Sequence, residues 1–218
     1  MASKSVRIPK RFSHLGKLGY IYLRSTIYHE AGHTALHLEY GRDIDKVTIE
    51  ITTEKDGEHS FWGHVDYNTY SVLKYDDVKG RKKNFSELAM ANIAGFASEI
   101  YLDCLEDEDD DDEPELDENV FQSANPEDYQ SALDACMRVA SNDQEAYRLF
   151  DKCMDRTMKL ITTPRIWQRI DKIAKALLKS PNLTLENSDL KRMFPELFSP
   201  PLKGAAQKTK RPKKSEGK

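Results

Sequence analysis

Two histidines four residues apart, His29 and His33, enclose Glu30-Ala31-Gly32 in a stretch with helical spacing, and this HExxH segment constrains the chain more than any other. On a helix, residues i and i+4 share one face, so both imidazoles can reach one metal ion. The glutamate beside the first histidine is then placed to accept a proton from a metal-bound water. So short a pattern also arises in helices that bind nothing, and its surroundings matter. From about Leu18 to Tyr40, the residues Ile21, Leu23, Ile27, Ala31, Ala35 and Leu38 recur at helical spacing and predict one stripe facing a core. Gly41 is the expected helix stop. Gly32 stands mid-helix, where glycine costs about 1 kcal/mol relative to alanine. It predicts the close approach of another backbone beside the metal.

The 218 residues suffice for one sizeable domain or two small ones. No apolar run approaches the roughly 18 residues needed to cross a bilayer, so no membrane span is expected. Cys104, Cys136 and Cys153 form no CxxC pair and suit a reducing compartment, which makes the cytoplasm the expected location. Residues 1–17 form a basic arm (Lys4, Arg7, Lys10, Arg11, Lys17) with no apolar signal core. The run from Asp103 to Glu118 is almost continuously acidic, with Asp109, Asp110, Asp111 and Asp112 in a row. Such a block repels itself and predicts a disordered insertion over 103–119. It lacks the glycine and closing glutamate of a calcium loop. Residues 199–218 carry Lys203, Lys208, Lys210, Arg211, Lys213, Lys214 and Lys218 and predict a solvated, disordered tail; nucleic-acid binding is not expected from it.

Two strand-like runs follow the first helix. Asp45–Thr53 alternates and is rich in β-branched residues, Lys55-Asp56-Gly57-Glu58 is a turn by composition, and Ser60–Tyr67 returns. Gly63 in the second run marks a point where another backbone comes close. In zinc peptidases an edge strand beside the metal commonly holds substrate by main-chain pairing, which makes Gly63 and His64 the candidate substrate strand. Phe61 and Trp62 read by default as packing. Helices are predicted over 85–105, from Asn125-Pro126 onward, and over 144–160, 165–179 and 185–193. The fold class is α+β, predominantly helical.

Zinc held by two histidines needs at least one more protein ligand and an open position for water. His37 lies eight residues after His29, about 12 Å along the helix axis, too far to share one ion, and reads as a flank residue. His14, His59 and His64 read as surface or pairing residues. A carboxylate from a later helix is the expected third ligand. Glu99 and Asp128 are both candidates, and composition does not separate them. An acid in a first helical turn, as Asp128 is, also has a plain role in stabilising that turn.

The order of these segments is similar to the peptidase domain of the FtsH-type AAA+ zinc metalloproteases. YHEAGHTAL, a KVTI strand, a second strand with GHV, and IAGFASEIYL resemble that family's YHEAGHA, VTI strand, GYT-like strand and glycine-rich helix ending in glutamate. PEDYQSALDACMRV resembles its ND-containing helix start, and the likeness runs from about Tyr20 to Phe198. The resemblance implies a zincin-like peptidase domain over 18–198, with a small β-hairpin or sheet beside the metal helix. It implies Zn2+ held by His29, His33 and Asp128, with Glu30 as the catalytic base and Glu99 supporting the site or serving as an alternative ligand. The chain has no GxxxxGK(S/T) segment, and no membrane anchor is expected in it, unlike the family. The expectation is therefore ATP-independent hydrolysis of peptides or unfolded-protein segments, unless a separate AAA+ partner supplies the motor; that partner or a homo-oligomer is the expected assembly. Two alternatives remain: a catalytically silent zinc-binding regulatory protein of the same fold, and a regulatory protease of the ImmA/IrrE type.

Overall fold

The computed structural model describes residues 7–68, 78–107 and 114–198. A short 3-10 helix, Lys10–Leu15, leads into α1 (Gly16–Glu39). The hairpin β1 (Ile44–Thr53) and β2 (His59–Tyr67) follows, then the long α2 (Val78–Glu106). Next come α3 (Glu118–Ala124), α4 (Pro126–Met137), α5 (Asp143–Ile161) and α6 (Pro164–Lys179). A strand β3 (Thr184–Glu186) and the short helices α7 (Asn187–Met193) and α8 (Pro195–Phe198) close the described chain. The molecule is predominantly helical with a small antiparallel sheet in the order β2-β1-β3.

Local chemistry explains most boundaries. Gly41, at φ +69 just past α1, supplies the left-handed residue that ends a helix. Gly57, at φ +90, does the same for the hairpin turn. Asn125 and Pro126 start α4 as the sequence predicts, although the Asn125 side chain makes no capping bond. Asn142 caps α5 by accepting from the Glu145 amide at 2.9 Å.

Several expectations are corrected. The core of α1 is not a stripe: every residue from Ile27 to Leu38 is buried, while Ile21 is exposed. α2, α6 and the sheet wrap this helix on all sides, which favours small and apolar residues around its whole circumference. Leu185 and Glu186 belong to β3, paired to Val47 and Lys46, and not to the following helix. A three-residue strand carries too little periodicity to announce itself. The acidic run is folded at both ends. Asp103–Glu106 form the last turn of α2, Asp117 caps α3 through the amides of Asn119 and Val120, and Glu118 opens that helix. Residues 108–113 of the expected insertion, the basic tail 199–218, and the first six residues of the basic arm lie outside the described residues. The rest of that arm is partly core, since Phe12 and Leu15 are buried.

α2 is the one described helix long and apolar enough, by length and composition, to cross a membrane. Its small and apolar residues pack against α1, α4 and α5, the hydropathy of a central core helix.

Candidate metal centre

α1 delivers three side chains to one place. His29, Glu30 and His33 are 8%, 7% and 7% exposed. The outward nitrogen of each imidazole is held by α2. His29 Nδ1 pairs with Glu99 Oε1, and the other Glu99 oxygen accepts from Ser25 Oγ at 2.7 Å. His33 Nδ1 donates to the Ala91 carbonyl at 2.7 Å. A carbonyl and a carboxylate only accept, so both rings carry a proton on Nδ1 and turn Nε2 inward, the nitrogen left to bind a metal once it is unprotonated.

Those two Nε2 atoms stand 2.9 Å apart, and Asp128 Oδ2 lies 2.9 Å from His29 Nε2 and 3.2 Å from His33 Nε2. Three lone-pair donors from three side chains thus converge on one point, and this group could hold a metal ion. Donors bound at about 2.0–2.1 Å to one tetrahedral ion stand roughly 3.3 Å apart, within a few tenths of an ångström of these separations. Short of a metal, the convergence holds a proton. Burial lowers the His29 pKa, but its hydrogen bonds to Asp128 and Glu99 outweigh that and raise it to about 10. His33 is raised against its burial by Asp128. Burial pushes the Asp128 carboxyl up, but His33 and His29 outweigh it and hold the group far below the usual carboxylate range. A metal must displace that proton, so its binding is coupled to pH.

Asp128 reaches the centre from the first turn of α4. Its neighbour Tyr129 packs edge-on between Phe121 of α3 and Phe150 of α5, with ring centroids 5.7 and 5.2 Å away. The Tyr129 hydroxyl donates to Glu118 at 2.7 Å. α3, which the sequence reading missed, therefore helps to set the height of Asp128. Glu99 supports His29 and is not one of the three converging donors.

Three glycines keep the room open. A Cβ on Gly95 of α2 would stand 2.5 Å from Nε2 of both histidines. A Cβ on Gly32 would overlap the Ala94 carbonyl and the Ser98 hydroxyl, so the backbone approach predicted there is made by α2. At Gly63 the expectation is corrected: the close neighbour is the Glu30 carboxyl and not a backbone. β2 lies against the α1 turn that carries Glu30, and only a strand residue with no side chain leaves space for that carboxyl. Burial raises the Glu30 pKa, with the two histidines opposing. Gly95 stands in the IAGFASEIYL segment quoted above for the resemblance, but its clearance over two rings on another helix had no local signal.

The donors open into a cleft of about 670 Å³ that runs along β2. Phe61, Trp62, Gly63, His64 and Val65 line it consecutively. Alternate strand residues face opposite ways, so five in a row line one cleft only where the strand presents its edge. β1 pairs with the other edge of β2, and no described strand pairs with this one. The His64 side chain is 68% exposed and its Nε2 lies 2.6 Å from Asp66 Oδ1. His37 is not a flank residue: it is 2% exposed, stacked on Tyr67 at 4.1 Å, and reaches the cleft one turn beyond His33. The expectation that it does not join the three donors stands.

Comparison of the chain with protein-family models finds no match, and neither does comparison with curated proteins.

Proposed function

We propose that this chain is a zinc metallopeptidase that cleaves peptides or unfolded-protein segments without ATP, and that its resemblance to the FtsH-type peptidase domain reflects a common zincin-like design. One observation carries the reading: His29, His33 and Asp128 converge beside a buried glutamate, at the foot of a strand edge that no described strand pairs with. Two imidazoles and one carboxylate are the donor set of a catalytic zinc with an open coordination position. When bound there, zinc would supply Lewis-acid polarisation of a water and of the scissile carbonyl. The chain's own groups do the rest. The Glu30 carboxylate accepts the water proton and returns it to the leaving amine nitrogen. Its raised pKa brings the acid and base forms closer in energy near neutral pH. The free edge of β2 holds the substrate backbone as an added strand, a mode that accepts many side chains. Glu99 and the Ala91 carbonyl keep the two rings turned inward.

The test is metal analysis of the purified protein together with cleavage of a diverse peptide mixture, repeated on Glu30→Gln. About one zinc per chain in both proteins, with cleavage only in the parent, is the expected result. Cleavage that survives Glu30→Gln would refute the assigned base. Zinc without turnover in the parent would replace the peptidase reading by that of a metal-binding regulatory protein.

A further inference from the structure

His37 and Arg42 form a second polar device in the same cleft, one that the hydrolytic chemistry does not use. Arg42 Nη1 donates to His37 Nδ1 at 3.0 Å, and its Nη2 donates to the Asn84 carbonyl at 3.2 Å. A guanidinium has only donors, so His37 Nδ1 must accept and the ring proton must sit on Nε2. Burial, reinforced by the Arg42 charge, holds the His37 pKa well below its ordinary value and keeps the ring neutral. His37 lines the cleft and Arg42 does not, so the ring edge turned to the cleft is the one bearing Nε2–H. Among the described residues no acceptor meets that hydrogen. Among the described residues no fully buried side-chain nitrogen or oxygen lacks a partner, so this one is open to the cleft.

Behind it lies a buried charge with no close anion among the described residues. Arg42 is 4% exposed; Glu87 acts on it only from farther away, and the Tyr40 ring lies 5.9 Å from its guanidinium. A buried cation without a close anion is costly, and an anion brought into the cleft offsets that cost. The imidazole relays the guanidinium's polarity, because accepting at Nδ1 makes Nε2–H a stronger donor.

We infer that His37 Nε2–H, backed by the buried Arg42, forms a carboxylate-binding subsite at the Tyr67 end of the cleft, so that substrates with a carboxylate there are preferred. The inference rests on the reading of the cleft as a peptide channel. His37 follows His33 by one helical turn, about 6 Å along α1, which corresponds to roughly two residues of extended chain. The recognised carboxylate therefore lies about two residues from the bond next to the metal. An aspartate or glutamate side chain and a chain terminus both supply this group.

Binding is read on zinc-loaded Glu30→Gln protein, which needs no turnover, so failure of the peptidase reading leaves this test intact. Three fluorescent octapeptides serve as probes: one with acidic side chains and blocked ends, its Asn/Gln counterpart, and an uncharged peptide with a free C-terminal carboxylate. The acidic probe, the free-terminus probe, or both should bind about tenfold more tightly than the Asn/Gln probe, and which one does so identifies the source. His37→Phe, which keeps a ring against Tyr67, should bring the ratio to within about twofold. His37→Gln, whose amide both accepts from Arg42 and donates, should restore part of it. The His37 Nε2–H proton resonance should move downfield with the preferred probe and stay in place with the Asn/Gln probe, a reading that needs no substitution at His37. Equal affinity for all three probes, or a preference that persists in a folded, zinc-loaded His37→Phe, would overturn the subsite.

Discussion

Gly95→Ala tests the metal centre without touching a ligand. The added Cβ would stand 2.5 Å from Nε2 of His29 and of His33, where ordinary contact begins at 3.4 Å. Each ring must therefore withdraw by roughly 0.9 Å, the difference between those two distances. Metal sites hold ligand distances to within about 0.2 Å, so both bonds are lost together. The fold itself suffers little. Alanine gains about 1 kcal/mol over glycine in a helix, and crowding a packed site costs about 1–3 kcal/mol. The net cost to the metal-free protein is about 0–2 kcal/mol. Metal-dependent stability behaves differently. At free zinc one hundred times Kd, the parent gains about 2.7 kcal/mol, which in a chain of this size raises Tm by roughly 5–10 °C. Gly95→Ala should show almost none of that rise in calorimetry with and without zinc, and should purify without stoichiometric metal. Full zinc content with an unchanged thermal shift would refute the convergence of His29, His33 and Asp128 as the metal position.

Gly32→Ala should destabilise the protein by about 1–2 kcal/mol in urea unfolding despite its better helix propensity, the upper part of what crowding less the helix gain allows, because the Ala94 carbonyl is backbone and cannot yield; a gain in stability would show that α1 and α2 are not in such close contact. Glu39→Gln removes the acid that joins α1 to Arg165 at 2.5 Å and to Arg169 at 2.8 Å, and should cost about 1–3 kcal/mol, since Arg169 is buried but Glu39 is partly open to water. Burial pushes the Glu39 pKa up, but the two arginines outweigh it and set the folded value below 4.5. Its stabilisation is therefore full above that pH and fades as pH falls through the lower folded value; an acid titration of Glu39→Gln that stays parallel to the parent's would count against the pair. His37 also has a depressed folded pKa, so below about pH 6.5 the unfolded chain binds a proton that the folded one refuses. Stability should fall there by about 1.4 kcal/mol per pH unit from this one group. The difference between parent and His37→Phe melts across pH 5–7 reads that slope, and a flat difference would show that folding does not depress the His37 pKa.

What could be read in advance was what is local. The i, i+4 spacing places His29 and His33 on one face of α1 whatever surrounds it, because helix geometry needs no partner. The hairpin follows from alternation and from Gly57, and the start of α4 from Asn125-Pro126. The mid-helix Gly32 announced a close neighbour because its cost has no other compensation. The choice between Glu99 and Asp128 had no local signal. Both are carboxylates on later helices, and only the packing of α2 and α4 around α1 puts Glu99 on Nδ1 of His29 and Asp128 on Nε2. The same holds for Gly95 and for the Glu30 carboxyl against Gly63. A helix specifies directions along its own axis. Which atoms meet at the ends of those directions depends on contacts between residues roughly 30 to 100 positions apart, and that was decided only by the tertiary structure.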